Sequence, residues 1–528
     1  MKTAKLLLKM CLIVFISAGY VSCEDGIDGA NGVDGVDGLD GQDGQDGQDG
    51  QDGEDGASAL GSYNWSNTSA LVTTFPGFNN IKVSSLVSST DVLPTSSGGN
   101  FQLGGSADGA GAVINQDGNI AMMVNCEDHY AVARIILDPT TLQPLEADYM
   151  LNSGVNEYAR QCSGTMWEAS IHGGSEDFFI SSSENFNLQS KRIDIDETPN
   201  PTDNSDRFAE WGRFNWENNV PLPANAYSGK TVVIGGDDDS SGSEGQIAMY
   251  YSENGEADLT GGKVYVLRRA GATEVETEED LDFGVEYDVE FVEISDAANL
   301  TYGETEQACI DALSLQFMRV EDVDYGKGSD AAGRSIYFAV TGRGPDRGTY
   351  NDWGTGYKLV LDADNPLSGK LTQIISGNVD TNNMDGNMGL LQSPDNICVT
   401  ENYIYWQEDP NSFSRNHQAF IWQTDLDGNG AVPVLQIDYN YALDAADGDI
   451  RAEDGLNGEF GALFDMSDKV SSANGSVFAL MLQPHYWEEE RFEGIDGHVR
   501  TSFDGIDQQG GREDDQGSQI VILEGLPR

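Results

Sequence analysis

An arginine and two acids stand together between two short apolar runs of the sequence. Arg319 follows the apolar residues 317–318, and Glu321 and Asp322 come shortly after it. A guanidinium can hold an oxyanion through parallel N–H donors, and a carboxylate is a hard oxygen ligand for a metal ion. Taken alone, these residues are better explained as an ion pair at the protein surface. Their interpretation therefore depends on whether acids recur beside other strand-like runs.

Acids and thiols do recur beside other strand-like runs of the chain. Clustered carboxylates bind divalent cations through oxygen, and a thiolate adds affinity for transition metals. The recurrence therefore favours a metal site built from several strand ends. The residues concerned are Cys126 and Glu127, Cys162 and Glu184, Glu217, Asp237 and Asp238, and Asp395 with Glu408 and Asp409.

The charge of the chain limits its partners. Its 528 residues include 28 basic and 89 acidic ones, a formal net charge of −61 at pH 7. Nucleic acid and anionic membrane surfaces bind clustered Lys and Arg, so the composition argues against both as partners. It favours divalent cations, although a solubilising extracellular surface is also acidic. The sequence has no Gly-x-Ser-x-Gly elbow and no phosphate-loop lysine motif, so serine hydrolases and nucleoside triphosphatases find no support.

Short β-like runs separated by Asp, Gly, Asn and Pro turns recur after residue 100, and a helical period is nearly absent. Two hairpin patterns have acidic turns that lead through Gly369 and Gly430. This rhythm predicts an all-β fold, a β-propeller that we take as six-bladed, with sheets repeated around a channel. A pair of β-sandwiches would show a break in composition, and 100–528 has none. The predicted strands are 119–124, 131–137, 177–182, 231–234, 246–250, 263–268, 335–340, 358–361, 371–375, 396–400, 403–407, 419–423, 432–437, 476–482 and 519–523.

The N-terminus has the pattern of an export signal. Lys2, Lys5 and Lys9 form a basic region, an apolar stretch follows, and small residues lead to Cys23. The pattern resembles the lipobox of bacterial lipoproteins, in which the leader is cleaved before a cysteine that receives lipid. We predict a signal peptide at 1–22 and a lipid-anchored Cys23, which places the protein in the outer membrane, at the cell surface or the periplasmic face. An ordinary secretory signal is the alternative, and no later apolar run is long enough to span a membrane.

Glycine recurs at every third position from Gly26 to Gly56, mostly in Asp-Gly-X triplets. The period is that of collagen, in which only glycine fits at the triple-helix axis, but the segment lacks proline and its aspartates repel one another. We interpret 23–56 as an extended acidic stalk, with a cation-assisted trimer as the alternative. Residues 57–100, rich in Ser, Thr and Gly, would form a transition, and 101–528 the propeller domain.

The order and content of the acid-bearing segments resemble the PhoX family of bacterial alkaline phosphatases. The family's Asn-His-Glu element corresponds to 125–127, with Cys126 in place of histidine, and its Arg-Pro-Glu element corresponds to 319–321, with Val320 in place of proline. The other elements match in the same order. They are a Cys-containing Gly/Trp segment ending in Glu at 162–184, Gly-Arg-Phe-x-x-Glu at 212–217, a Gly-Asp-Asp turn at 236–238 and Pro-Asp-Asn at 394–396.

The resemblance implies a propeller that hydrolyses phosphate monoesters with iron and calcium in its central channel. Cys162 would then bridge the irons, and Arg319 would bind the phosphate. Thiolate together with carboxylates suits iron, whereas oxygen ligands alone suit calcium. The carboxylate ligands implied are Glu184, Glu217, Glu321, one of Asp237 and Asp238, and Glu127.

Several alternatives stay open from the sequence. A propeller that keeps calcium but not the chemistry would act as a surface binding or adhesion module, and a calcium-dependent lactonase-type propeller is a third reading. A disulfide between Cys126 and Cys162 would remove the bridging thiolate. His485 resembles part of a Gln-His element of the family, but a histidine beside aromatic residues is more often packed or hydrogen-bonded than a ligand. The sequence does not determine the substrate or the oligomeric state.

Overall fold

A computed structural model gives the structure of the chain. The predicted signal peptide at 1–22, Cys23 and the stalk at 23–56 lie outside the residues that it describes. Within the described part, no helix combines the length and the hydrophobicity needed to cross a membrane. The described residues are 59–154, 160–184, 188–200, 207–239, 245–328, 333–345, 349–378, 386–410, 414–415, 417–438, 458–485, 487–498 and 515–528.

Antiparallel strands form nearly all of the regular structure in the described residues, which confirms the all-β prediction. In chain order they fall into six groups, and within each group successive strands pair directly. Short N-terminal strands precede the groups: β1 Ala59–Leu60, β2 Val72–Thr74, β3 Lys82–Ser88, β4 Leu93–Pro94 and β5 Asn100–Phe101.

The first three groups follow these strands. Group one is β6 Ala107–Ile114, β7 Ile120–Cys126, β8 Ala131–Leu137 and β9 Pro144–Leu151. Group two is β10 Gly164–Trp167, β11 Phe178–Ser181 and β12 Lys191–Asp194, with the short helix α1 Ala169–His172 after β10. Group three is β13 Trp216–Pro221, β14 Thr231–Asp237, β15 Ile247–Ser252 and β16 Lys263–Arg269.

An insertion separates group three from the remaining groups. It consists of β17 Glu276–Thr277, β18 Glu286–Ile294, helix α2 Tyr302–Asp311 and β19 Leu315–Gln316. Group four is β20 Val320–Tyr325, β21 Ser335–Val340, β22 Thr355–Leu361 and β23 Ser368–Ser376. Group five is β24 Pro394–Val399, β25 Tyr403–Glu408, β26 Phe420–Asp425 and β27 Val432–Ile437, and group six is β28 Glu459–Asp465, β29 Val477–Gln483 and β30 Gln519–Glu524.

The N-terminal strands complete sheets made by the C-terminal groups. β2 pairs with β27 of group five, and β3 pairs with β30 of group six, where Ser84 lies opposite Ile522. The segment 57–100, expected as a transition, therefore contributes strands to the fold. The propeller begins before residue 101, the boundary that composition predicts.

The groups pack on one another in a closed ring. Buried apolar residues form shared cores between groups one and two, two and three, three and four, four and five, and five and six. Met122 of group one and Met481 of group six belong to one further core, so the last group packs on the first. This is the arrangement of a β-propeller. The count of six blades stays a prediction, because β18 joins groups three and four into one sheet and group two has three described strands.

Each apolar run predicted as a strand coincides with an observed strand, and the hairpins predicted at Gly369 and Gly430 are β22–β23 and β26–β27. The sequence did not indicate β6, β13, β20 and β28, the first strands of their groups. All of β13 is buried although it contains the polar residues 217–219, so the apolar alternation typical of a strand is lost. Pro221 ends this strand. Acids of β6, β13 and β20 belong to the candidate metal centre.

Candidate metal centre

The first strand of four groups carries an acid at its second residue. The acids are Asp108 in β6, Glu217 in β13, Glu321 in β20 and Asp395 in β24. At each of them a β-bulge shifts the pairing with the second strand. Bulges bend a strand locally and redirect its side chains, and they are common beside active sites. Because the bulges occupy equivalent positions, the four carboxyls lie at the same end of the sheets.

The second strands bring further donors to this end, because in an antiparallel pair the second strand ends beside the start of the first. Glu127 directly follows β7, Asp238 directly follows β14, and Glu184 comes shortly after β11. Cys162 lies just before β10, at the corresponding position of group two. Carboxyls and one thiol from different groups therefore meet in one region.

These residues form a single set of donors, here called the acidic cluster. Within each of four overlapping sets, one ligand atom per residue lies within 4.8 Å of the others. Cys162, Glu184, Glu217 and Glu321 each belong to two sets and so link them, which gives metal ions several neighbouring positions. The sets are Asp108–Glu127–Cys162, Cys162–Glu184–Glu217, Glu184–Asp238–Glu321 and Glu217–Glu321–Asp395.

Two arginines lie against the acidic cluster. Arg319 Nε is 3.0 Å from Asp238 Oδ1, and Arg319 Nη2 is 2.6 Å from Glu321 Oε1. Arg160 Nη1 is 2.8 Å from Glu127 Oε1. The side chains of Arg319 and Arg160 are 16% and 20% exposed, so both guanidiniums are held by carboxylates and still reach solvent. Two fixed cations of this kind fit the binding of an oxyanion beside the cluster.

Arg319 has a left-handed backbone, with a φ of 68°. This conformation costs a non-glycine residue about 1 kcal/mol or more, and it persists where the surroundings impose it, often at functional sites. The amide of Thr341 donates to the Arg319 carbonyl at 3.0 Å, and the buried Glu278 Oε1 accepts from the amide of Met318 at 3.0 Å. Glu278 therefore fixes the residue before the arginine. It also accepts hydrogen bonds from Asn351 Nδ2 at 2.9 Å, Thr355 Oγ1 at 2.9 Å and Tyr357 Oη at 2.8 Å.

The substitution Glu278→Gln is expected to lower the free energy of unfolding by about 2 kcal/mol, because the new amide NH₂ would face donors that now bind a carboxylate oxygen. Urea unfolding followed by circular dichroism measures the change. Glu279→Gln, at the exposed neighbouring residue, is the matched control, with an expected change within about 0.5 kcal/mol. Equal stability of the two variants would show that the Glu278 carboxylate does not hold this turn.

The backbone of Cys162 is held against β6. Asn125 Nδ2 donates to the carbonyl oxygens of Cys162 at 2.8 Å and of Ser163 at 3.1 Å. The amide of Gly109 donates to the Cys162 carbonyl at 3.1 Å, and a Cβ at Gly109 would overlap the backbone of Gly164. Glycine is therefore needed where the two segments cross. These contacts fix the position of the thiol.

Cys126 and Cys162 are both buried and free, so the disulfide considered from the sequence is not formed. Burial raises the pKa of the Cys162 thiol well above its usual value, and the carboxylates of Glu184 and Glu127 raise it further, while Arg160 lowers it. A metal ion reverses this effect, because coordination deprotonates a thiol. Cys162 is therefore suited to a thiolate role only together with a bound cation.

The carboxyls of the acidic cluster outnumber the two arginines beside it. Burial raises the pKa of Glu217 and of Asp395 well above the usual value, and repulsion from Glu321 raises both further. Burial also raises the pKa of Asp108, whose Oδ1 has no hydrogen-bond partner among the described residues. Buried charge is costly unless protons or cations neutralise it. The donors fit metal ions: thiolate with carboxylates suits iron, and carboxylates alone suit calcium.

In metal-free protein, the free energy of unfolding is expected to fall as the pH rises from about 5 to about 8. Burial raises the pKa of Glu184 from 4.5 to about 8, so over this interval the folded chain holds a proton that the unfolded chain has released. Stability falls with pH wherever the folded state binds more protons. Ca²⁺ that binds only the folded state replaces these protons and should restore the loss.

Melting temperatures measured across this pH interval, with a chelator and with added Ca²⁺, test the expectation. The melting temperature should fall with rising pH in chelator, and the difference between the two conditions should widen. A melting temperature in chelator that is constant or rises with pH would contradict it.

The structure separates Asp237 from Asp238, between which the sequence did not decide. Asp238 belongs to the acidic cluster. Asp237 does not: its Oδ1 accepts from the amide of Asn215 at 2.7 Å, and burial followed by repulsion from Glu306 of α2 raises its pKa. Asp238 is thus the better placed candidate ligand. Of the other residues expected at the site, Glu127, Cys162, Glu184, Glu217 and Glu321 lie in the cluster, and Arg319 lies against it.

Sequence reasoning missed two participants and undervalued a third. Asp108 lies in the Ala- and Gly-rich segment 107–112, which has no strand-like pattern. Arg160 stands two residues before Cys162 but in none of the motifs found in the sequence, and Asp395 was noted among the acids at strand ends but not as a ligand. Asp108 and Asp395 could have been found from a recurring pattern. In four groups the second residue of the first strand is an acid, as at Glu217 and Glu321.

No protein-family model matches the sequence, and no curated protein matches it. Among solved structures, PhoX of Pseudomonas fluorescens in complex with vanadate, a transition state analogue, is similar over 89% of this chain and 98% of that chain, with a TM-score of 0.54 and 12% identity. At this identity the likeness shows a shared fold. The catalytic domain of the GH62 α-L-arabinofuranosidase of Coprinopsis cinerea is less similar, with a TM-score of 0.30, 10% identity and 64% and 92% of the two chains covered.

Proposed function

We propose that the protein is a metal-dependent phosphomonoesterase that works outside the cytoplasm. The observation that carries the proposal is the contact of Arg319 with the acidic cluster, 2.6 Å from Glu321 and 3.0 Å from Asp238. A cation fixed beside clustered metal ligands is the combination that phosphoryl transfer uses, since it neutralises the charge of the transferring group. The substrate class is therefore small phosphate esters.

The cluster residues would hold iron and calcium, which are proposed from the resemblance to the PhoX family. Cys162 with Glu184 and Glu217 offers the thiolate and carboxylates that suit iron, and Glu217, Glu321 and Asp395 offer oxygen ligands that suit calcium. When bound, such ions act as Lewis acids on phosphoryl oxygens and can hold attacking and leaving oxygens in line. The chain itself contributes orientation: Arg319 and Arg160 are placed to bind non-bridging oxygens of a phosphate.

The fold supports the proposal in one respect. The structure of PhoX to which the chain is similar holds vanadate, a transition state analogue, which indicates that this propeller architecture can carry a phosphoryl site. The substrate of the present chain is inferred from its own arginines and carboxyls, because a 12% identity carries the fold alone.

Turnover of a chromogenic phosphate monoester by purified protein supplied with Fe³⁺ and Ca²⁺ is the direct test. We expect hydrolysis that a chelator abolishes and that both ions together restore. Absence of turnover, combined with absence of bound iron by elemental analysis, would remove the phosphatase proposal.

A calcium-stabilised, non-catalytic propeller that binds other molecules at the surface is the second candidate. The surplus of buried carboxyls over arginines also supports this second candidate, because bound calcium alone would neutralise the buried carboxyls. It predicts that Ca²⁺ raises the melting temperature while phosphate esters remain intact and iron is absent. The two candidates therefore separate in one set of measurements.

For either candidate function, the predicted leader makes the protein an outer-membrane lipoprotein. The lipid on Cys23 alone would attach it to the membrane, and nucleic acid is not expected as a partner. Incorporation of labelled fatty acid into the full chain, and its loss in Cys23→Ala, tests this placement. Labelling that persists in Cys23→Ala would contradict it.

A further inference from the structure

A second group of potential ligands lies where groups five and six meet. Asp409 directly follows β25, Glu459 begins β28, and His485 comes shortly after β29. One ligand atom of each lies within 4.8 Å of the others. Asp409, Glu459 and His485 are 7%, 6% and 8% exposed, so all three are buried. It differs from the acidic cluster in offering an imidazole nitrogen.

Among the described residues, this group shares no member with the acidic cluster. The four sets of the cluster are linked through shared members, and none of them contains Asp409, Glu459 or His485. An ion held by these three residues would therefore be additional to any ions held by the four sets. The two groups are neighbours: burial raises the pKa of Glu459, and repulsion from Asp409, Asp395, Glu127 and Asp108 raises it further. The residue types also differ in preference, because imidazole with carboxylates suits first-row transition metals better than calcium.

The hydrogen bonds around His485 determine which ring nitrogen is available. His485 Nδ1 is 3.1 Å from Gln516 Oε1, an oxygen that also accepts from Ser106 Oγ at 3.0 Å. Nδ1 therefore carries the hydrogen and donates it to Gln516. This is the contact by which proteins usually orient a metal-binding histidine, through the nitrogen that does not bind the metal.

The other ring nitrogen faces a carboxylate. His485 Nε2 is 3.0 Å from Glu459 Oε2, while Glu459 Oε1 accepts from Gln483 Nε2 at 2.8 Å. With the hydrogen on Nδ1, the lone pair of Nε2 points towards a carboxylate oxygen and repels it. The contact becomes favourable when a metal ion binds both atoms or when a second proton makes the ring cationic.

We propose that Asp409, Glu459 and His485 bind one divalent first-row transition metal ion, such as Zn²⁺, beside the acidic cluster and through ligands that none of its four sets contains. Gln516 and Gln483 orient the two ligands that they contact. The assignment does not depend on the proposed phosphatase activity, and its test measures metal content instead of turnover. A salt bridge between a cationic His485 and Glu459, with no metal, is the outcome that would replace it.

Zinc retention by purified protein tests the proposal. Metal-free protein is loaded with Zn²⁺ in excess Ca²⁺, desalted and analysed for zinc by elemental analysis. His485→Gln is expected to retain one equivalent of zinc per chain less than the unchanged protein, and the same loss is expected in a Cys162→Ser background, which lacks the thiolate of the acidic cluster. His172→Gln, at a buried histidine whose Nδ1 accepts from the amide of Glu168 at 2.9 Å, should lose no zinc.

Equal zinc in His485→Gln and in the unchanged protein would overturn the proposal. A second measurement covers the case in which His485→Gln does not fold. Zinc K-edge absorption of the zinc-loaded Cys162→Ser protein should show scattering from an imidazole ring. Oxygen ligands alone in that spectrum would overturn the proposal as well.

Discussion

Replacing Arg319 with alanine is expected to lower kcat/KM for a phosphate monoester by about three orders of magnitude, the lower end of what an arginine contributes to phosphoryl transfer. The guanidinium is held by Asp238 and Glu321 and is 16% exposed, so it is already oriented before a substrate arrives. Its loss removes an oriented cation from the place where charge develops. Steady-state kinetics of the metal-loaded protein, with inorganic phosphate binding by calorimetry, measures the effect.

Two further variants separate charge from geometry. Arg319→Lys keeps the charge but loses the planar pair of donors, so we expect it to recover only part of the activity. Arg268→Ala, at a half-buried arginine of β16 paired with Glu290 Oε1 at 2.9 Å, should leave the kinetics unchanged. Activity of Arg319→Ala close to that of Arg268→Ala, in protein with an unchanged circular dichroism spectrum, would remove Arg319 from the site.

The substitution Cys162→Ser is expected to remove bound iron and to lower activity by more than about 100-fold. Mutating a residue that only supports a metal ligand already costs up to about 100-fold, and loss of a ligand itself should cost more. Cys162 is the described thiol whose sulfur lies within 4.8 Å of cluster carboxylates, in two sets at once. A serine hydroxyl has nearly the same size but is a poor ligand for iron compared with a thiolate. Elemental analysis and the chromogenic assay measure the two losses together.

Cys398→Ser is the matched control for this change. Cys398 is also buried and free, but it lies in the apolar core shared by groups five and six. We expect this variant to lose some stability and to retain iron and activity. Full iron content in Cys162→Ser would show that the thiolate is not a ligand.

The architecture was predictable in large part because it depends on local patterns. The apolar middle strands, such as β8 and β21, follow directly from runs of buried residues between turns. The first strands β6, β13, β20 and β28 were not predictable, because acids at or next to their first residue interrupt the apolar alternation. β20 begins Val-Glu-Asp, and neither its period nor its composition indicates a strand. The closing strand β3 was missed for a different reason: it pairs with β30 at the other end of the chain.

The candidate site was predictable in its residue types but less so in its membership. Arg319, Cys162 and most of the carboxyls were found because they stand in short motifs beside strands. Choosing between Asp237 and Asp238 needed the tertiary contacts, which leave Asp238 in the cluster and Asp237 hydrogen-bonded to the amide of Asn215. A sequence motif cannot make this choice, because neighbouring residues of one turn differ only in the direction of their side chains.

The all-β class and the presence of an arginine with acids at strand ends followed from the sequence alone, which also predicts an export signal and a stalk. These features depend on residues close together in the chain, where periodicity, turn residues and charge act directly. Tertiary structure alone decided which of the acids meet. Asp108 and Asp395 reach the same cluster, and Ser106 and Gln516 converge near His485, only because the ring closes. A closed ring brings together residues that are distant in sequence, and no local pattern encodes which of them will be neighbours.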